Sequence, residues 1–261
     1  MMGIRVRDVK YGYPGFRVDV LKGVTLDLRE SKVTALLGVN GSGKTTLFKV
    51  LLKILVPKEG SILVGEKNIN EFSRNELSRV VALVPQEEGS PFPYTVFEYL
   101  LMGRAPHLGF FSTPTKRDED KIAEVLADLG ISHLGQRNVT NLSGGERRLV
   151  FIARALAQEP EILLVDEPTA HLDLRNKARV LGVMREMADS GRTVVFSTHD
   201  PNEASLVADD VGILNEGKIV GFGPPASVMT EDALKAIYGA EVAIRRVKGK
   251  LMFGLVAAKV M

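Results

Sequence analysis

The sequence predicts an α/β fold: a largely parallel central sheet, an antiparallel β region at the start and a helical insertion in the middle. Three observations carry this. Val33–Leu37, Ile162–Val165 and Thr193–Phe196 are short apolar runs bounded by polar residues, the pattern of strands covered on both faces. A glycine-rich turn follows the first run, and helical character continues over Thr45–Leu55, giving strand, loop, helix. From about residue 88 to 160 the texture is helical, with Ile122, Val125, Leu126 and Leu129 on one face.

The remaining elements fall in place around these. Residues 4–30 alternate apolar and polar in places (Val24, Leu26, Leu28), as antiparallel strands do. Residues 61–64 and Val80–Val84 read as further strands, the second ending near Gln86. Gly144–Ala157 reads as a helix with Pro160 just past its end, and a helix over 174–189 separates the last two central strands. Val242–Val256 reads as two strands around Lys248-Gly249-Lys250, a short C-terminal hairpin or tail over 241–261 that follows one large domain over 1–240.

Composition bounds the function. At 45% hydrophobic and 25% charged residues the chain has the balance of a globular protein with a sizeable core. The absence of cysteine excludes disulfides, thiol catalysis and thiolate metal sites, and fits a reducing compartment. A net charge of +2 is too near neutral to point to a nucleic-acid partner, so none is expected. No apolar run reaches the roughly 18 residues of a membrane helix, and the start lacks a signal-like apolar stretch. Any membrane role is expected to come through a partner.

Gly38-Val39-Asn40-Gly41-Ser42-Gly43-Lys44-Thr45 matches G-x-x-x-x-G-K-[ST]. Glycines let several backbone N–H groups converge on one phosphate, and the helix that follows offers its N-terminus to the charge. Lys44 is expected to reach the terminal phosphates and the Thr45 hydroxyl to ligate Mg²⁺. Asp166 and Glu167 end an apolar strand, where open α/β sheets bind ligands. Asp166 is thereby a candidate for the Mg²⁺ shell, and Glu167 for polarising the attacking water. Gln86 and His199 also follow strands. Four strand ends then deliver Lys44, Gln86, Asp166/Glu167 and His199 to one place, provided the four strands are neighbours.

Leu142-Ser143-Gly144-Gly145-Glu146 opens a helix. Ser143 and Glu146 make a capping box, S-x-x-E. Two glycines are more than a cap needs, since each costs about 1 kcal/mol in a helix interior. Close backbone approach and free N–H groups suit a second phosphate contact.

Taken in this order, the motifs resemble the ATP-binding cassette (ABC) family over nearly the whole chain, about residues 4–240. The resemblance implies a P-loop NTPase core of the ABC ATPase type, with an antiparallel β subdomain and a helical subdomain over about 88–160. Gly38–Thr46 resembles the Walker A loop, Thr46 included. Gln86 resembles the Q-loop glutamine and a further contact to the metal, Leu142–Glu146 the signature motif, and Asp166 and Glu167 the Walker B acid and catalytic glutamate. Asp173 resembles the D-loop aspartate, His199 the switch histidine, and Tyr13 the aromatic that stacks on adenine, with Tyr11 its rival. The signature ends in Glu146 where Gln is commoner.

By resemblance, ATP with Mg²⁺ is bound between two copies paired head to tail, the Walker A loop of one facing the signature motif of the other. ATP hydrolysis then drives permease subunits in the membrane, and the chain sits peripherally at the cytoplasmic face of the cell membrane. Gly103-Arg104-Ala105-Pro106-His107 and Pro168–Asp173 resemble ATPases of importers for iron–siderophore, haem and cobalamin, which also implies an external solute-binding protein. Gly103–His107 is equally readable as a surface loop closing a helix. About Glu87–Phe111 is expected to face the permease, although Phe92, Tyr94 and Phe97 fit a core as well. The competing class is a soluble ABC-type ATP-gated clamp for assembly, such as iron–sulfur cluster assembly. Roughly 100 residues without sustained heptads separate the two glycine motifs, against a coiled-coil clamp. A GTPase is disfavoured because Asn176-Lys177 is followed by Ala178-Arg179 rather than by N-K-x-D.

Overall fold

Apolar runs without alternation need cover on both faces, and the computed structural model, which describes residues 2–15, 17–86, 92–109 and 112–256, supplies it. In chain order the elements are β1 (Ile4–Tyr11), β2 (Leu21–Leu28), β3 (Val33–Leu37), α1 (Lys44–Leu51), β4 (Glu59–Val64), β5 (Lys67–Asn68), α2 (Arg74–Val80) and β6 (Val81–Val84). There follow α3 (Val96–Leu101), α4 (Lys116–Asp128), α5 (Gly144–Leu156), β7 (Ile162–Val165), α6 (Leu174–Asp189), β8 (Thr193–Thr198) and α7 (Pro201–Val207). The chain ends with β9 (Asp210–Asn215), β10 (Lys218–Gly223), α8 (Pro225–Val228), α9 (Glu231–Tyr238), β11 (Val242–Val247) and β12 (Lys250–Leu255).

The central sheet runs β10-β9-β3-β8-β7-β6, parallel except for the antiparallel edge strand β10. Side chains alternate between its faces. Val33, Ala35, Leu37, Leu163, Val165, Val194 and Phe196 enter one core with the helices. Leu36, Ile162, Leu164 and Val195 enter a second, closed by α1 and the antiparallel sheet β2-β1-β4-β5. The antiparallel start and the helical middle are thus both present. β3 and α6 have the bounds the sequence predicts.

Several boundaries differ from expectation. α1 stops at Leu51 rather than Leu55. Lys53 turns left-handed at φ 55°, its N–H bonds the Val50 carbonyl and the Ile54 N–H reaches Lys49, a Schellman ending that precedes Pro57. β8 runs on to Thr198, and Val80 ends α2 instead of opening β6. The segment 102–107 is a 3-10 turn anchored at its centre: Gly103 and Arg104 are buried while Met102 and Ala105 stay exposed, and a Cβ on Gly103 would stand 2.4 Å from the Arg154 carbonyl. Arg104 inside it is buried with Asp118 at 2.9 Å and Glu159 at 2.7 Å, fastening the turn to α4 and the end of α5. The hairpin β11–β12 forms around Lys248 and Gly249, both at positive φ as a tight two-residue turn requires. It is fastened to α7 by two hydrogen bonds between the Asn202 amide and the Phe253 backbone.

Candidate functional site

The order β3-β8-β7-β6 meets the condition set by the sequence: the four strands whose ends carry candidate residues are consecutive neighbours. Their carboxyl ends open on a cavity of about 370 Å³ lined by Val20, Asn40, Gly41, Gly43, Lys44, Thr45, Thr46, Gln86 and Glu167. Gly43 caps α1 at φ 110° and Gly41 sits at φ 82°, conformations that a Cβ would strain. Gly38 lies beneath the loop, where a Cβ would meet the Leu214 carbonyl at 2.3 Å, and Ser42 is buried with its hydroxyl unpartnered.

The Lys44 ammonium is 5% exposed and curls back onto the loop, donating to the carbonyls of Gly38 at 2.8 Å and Val39 at 3.1 Å. It also lies 3.9 Å from a Glu167 oxygen. Burial pushes its pKa below the ordinary lysine value, while Glu167 and Asp166 pull the other way. A buried cation held largely by carbonyl dipoles is one that an anionic phosphate would satisfy better.

The Thr45 hydroxyl donates to Asp166 Oδ2 at 2.7 Å, and Ser197 donates a short hydrogen bond to Asp166 Oδ1. Ser197 also accepts the Glu167 N–H at 2.9 Å. Glu167 sits at φ 43°, left-handed and unusual for a residue with a Cβ. So held, its carboxylate accepts from Gln86 Nε2 at 3.3 Å and lies 3.5 Å from His199 Nδ1. Lys44, Gln86 and His199 therefore surround one carboxylate. Thr45 and Asp166 supply hard oxygen donors side by side. Among the described residues no group of three or more His, Cys, Asp or Glu forms a metal cage. Two protein oxygens completed by phosphate and water are the set that suits Mg²⁺.

Tyr11 is 7% exposed and built into the second core, whereas Tyr13 is partly exposed and meets it edge-on at 5.1 Å. The Tyr13 hydroxyl lies 3.3 Å from the Thr46 hydroxyl, beside the phosphate loop. That leaves Tyr13 as the aromatic candidate of the two.

Ser143, Gly144, Gly145 and Asp173 do not line this cavity. Ser143 caps α5 in the expected box: it accepts from Glu146 N–H at 3.3 Å while Glu146 accepts its N–H at 2.9 Å. Arg137 pairs with Glu146 at 2.9 Å, a local role for the residue that departs from the usual signature. Gly145 has a reason within the chain: a Cβ there would fall 2.3 Å from Asn176 in the first turn of α6. Asp173 caps α6, accepting from the Asn176 N–H at 2.8 Å. Of the Glu87–Phe111 stretch, residues 87–91, 110 and 111 lie outside the described residues. Phe92 is exposed, while Tyr94 and Phe97 pack against the core.

Sequence reasoning missed Ser197, Val20, Arg148 and Tyr238. Tyr238 donates to the His199 carbonyl at 2.8 Å, and burial pushes its phenol well above the ordinary range. A signal existed for Arg148: with Gly145, Leu149 and Ile152 it occupies the i, i+3, i+4, i+7 face of α5 that is buried.

The ABC transporter family pattern matches residues 21–170. The hemin import ATP-binding protein HmuV of Thermobifida fusca is 39% identical over 86% of this chain and 78% of that protein. The ferric enterobactin transport ATP-binding protein FepC of Escherichia coli is 33% identical over 90% of this chain and 87% of its own length. A metal-chelate type ABC transporter solved in an inward-facing conformation superposes with a TM-score of 0.86 at 32% identity, covering 98% of both chains.

Proposed function

Because this chain belongs to the ABC transporter family, we propose that it is the ATP-hydrolysing subunit of a metal-chelate importer. It works at the cytoplasmic face of the cell membrane as a head-to-tail dimer under permease subunits, with an external solute-binding protein delivering the chelate. The carrying observation is the convergence of Lys44, Gln86, Glu167 and His199 at adjacent strand ends. The hemin and ferric enterobactin relatives, and the metal-chelate transporter, support the substrate class.

In this reading the phosphate loop N–H groups and Lys44 bind and orient the ATP phosphates, with Thr46 at the start of α1 and Tyr13 toward the base. Thr45 and Asp166, with Gln86 beside them, would hold Mg²⁺, which when bound neutralises phosphate charge as the terminal bond breaks. Glu167 accepts the proton of the attacking water, Gln86 fixes its carboxylate, and His199 steadies it from the switch position. Ser143, Gly144 and Gly145 close over the partner copy's ATP, and Asp173 lies beside that interface. No helix among the described residues is long and apolar enough to cross a membrane; in this reading the spanning subunits are separate permease chains.

The test is a pull-down from solubilised native membranes with tagged Glu167→Gln, ATP and Mg²⁺. The variant should hydrolyse ATP about 10²- to 10⁴-fold more slowly, the cost of losing a general base, and accumulate as an ATP-bound dimer. Recovery of a polytopic permease with a binding protein is the expected result. Recovery of soluble proteins alone would move the chain to the assembly-clamp class.

A further inference from the structure

We propose that Arg148 is a positioning residue for hydrolysis, linking the helix that closes on the partner's nucleotide to the carboxylate that serves the chain's own. This rests on the head-to-tail reading above.

Arg148 lies in α5 and is 6% exposed. Among the described residues its guanidinium makes no hydrogen bond to a carboxylate. Nε donates to the Pro168 carbonyl at 2.8 Å. One terminal nitrogen donates to Pro85 at 2.7 Å and Gln86 at 3.3 Å. The other donates to Asp166 at 2.7 Å and, by a shorter bond, to Glu167. Five carbonyls thus receive the five N–H donors of one guanidinium. Burial without a paired anion is costly, and the Arg148 pKa falls to about 10 despite the opposing pull of Asp166 and Glu167.

The carbonyls it gathers are not arbitrary. They lie at the carboxyl ends of β6 and β7, on the residues that carry Gln86, Asp166 and Glu167 or adjoin them. The Glu167 residue is held at both ends, its N–H by Ser197 and its C=O by Arg148, in a left-handed conformation it would not keep unaided. The direction of the Glu167 carboxylate therefore depends on where Arg148 stands.

Arg148 stands where α5 puts it. The helix begins at Gly144, about 6 Å along the axis from Arg148, and is capped by Ser143. A helix transmits displacement along its axis nearly as a rigid rod. When Ser143 and the two glycines settle on the partner's ATP, the same movement reaches the Glu167 carbonyl directly and its neighbours Asp166 and Pro168 through the same guanidinium. Hydrolysis at one site is thereby made contingent on nucleotide at the other. Lysine at this position carries at most three donors from one point and cannot bridge two strand ends as the planar fork does.

The experiment uses the full chain carrying Arg148→Gln and Arg148→Lys, beside wild type. ATP affinity is read by equilibrium dialysis, ATP-dependent dimerisation by light scattering on a sizing column, and kcat by phosphate release. Both variants should bind ATP within about threefold of wild type and still dimerise. Their kcat should fall tenfold or more in Arg148→Gln, and less in Arg148→Lys. Wild-type kcat in both variants would overturn the inference. So would a fall in kcat that tracks lost dimerisation or lost folding, which would mark Arg148 as a scaffold residue only. A wild-type chain that does not hydrolyse ATP would instead remove the transport-ATPase reading itself.

Discussion

Ser197→Ala removes a single buried oxygen that the active geometry uses twice. The hydroxyl is fully enclosed, donates to Asp166 and accepts the Glu167 N–H at 2.9 Å. Alanine fits the space, so no overpacking arises, but two buried polar partners lose a hydrogen bond. Leaving a buried donor or acceptor unsatisfied costs about 1–3 kcal/mol. Asp166 keeps Thr45 at 2.7 Å, which softens its share. The expected loss is thus about 2–4 kcal/mol, within the ~5–15 kcal/mol by which domains are stable, so the variant folds. Activity should suffer as well. Glu167 at φ 43° loses its N–H anchor, and a left-handed residue relaxing toward a more populated region turns its carboxylate away from Lys44 and Gln86. We expect kcat to fall about tenfold to a hundredfold, toward the lower range for losing a general base. Urea unfolding followed by circular dichroism gives the first number and phosphate release under saturating ATP the second. A destabilisation below about 0.5 kcal/mol together with unchanged kcat would refute the role assigned to Ser197, since even a surface change reaches that size.

Other consequences are testable with equal directness. Lys44→Ala should abolish tight nucleotide binding, and unchanged ATP affinity by calorimetry would end the phosphate-loop assignment. Ser143→Arg should block hydrolysis while ATP still binds the isolated monomer, because the blocked surface serves the partner's nucleotide; loss of monomer binding would argue against the sandwich. Acid should destabilise the fold through its capping carboxylates. Backbone N–H donors at Thr115, Ser73, Thr95 and Ser143 hold Asp118, Glu76, Glu98 and Glu146 below their ordinary values of 3.8 and 4.5. Since the folded values lie lower, the unfolded chain takes up more protons as pH falls. Their contribution is complete above about pH 4.5 and is lost progressively below it. A urea midpoint that does not fall between pH 6 and pH 3.5 would contradict this.

The site divides according to how far apart in sequence its chemistry lies. The phosphate loop was legible because strand, turn and helix are contiguous, and glycine spacing alone shapes the N–H cradle from Gly38 to Thr45. The Ser143–Glu146 box was legible for the same reason, as an i to i+3 relation within one turn. Apolar runs announced the central strands, yet periodicity says nothing of their order. The sheet order brings Gln86 and His199, 113 residues apart in sequence, each within hydrogen-bonding or ion-pair range of the Glu167 carboxylate.

Arg148, Ser197 and Tyr238 carry no motif of their own, because their partners are backbone groups or side chains supplied by distant strands and loops. The preference for Tyr13 over Tyr11 came from resemblance in the sequence, and burial adds the physical reason: Tyr11 is enclosed in the core, while Tyr13 stays partly exposed with its hydroxyl beside Thr46. Local backbone chemistry belongs to the sequence itself, since it needs only neighbouring residues. The aim of Glu167 belongs to the tertiary structure, because a buried arginine, a buried serine and three adjacent strand ends must agree on it.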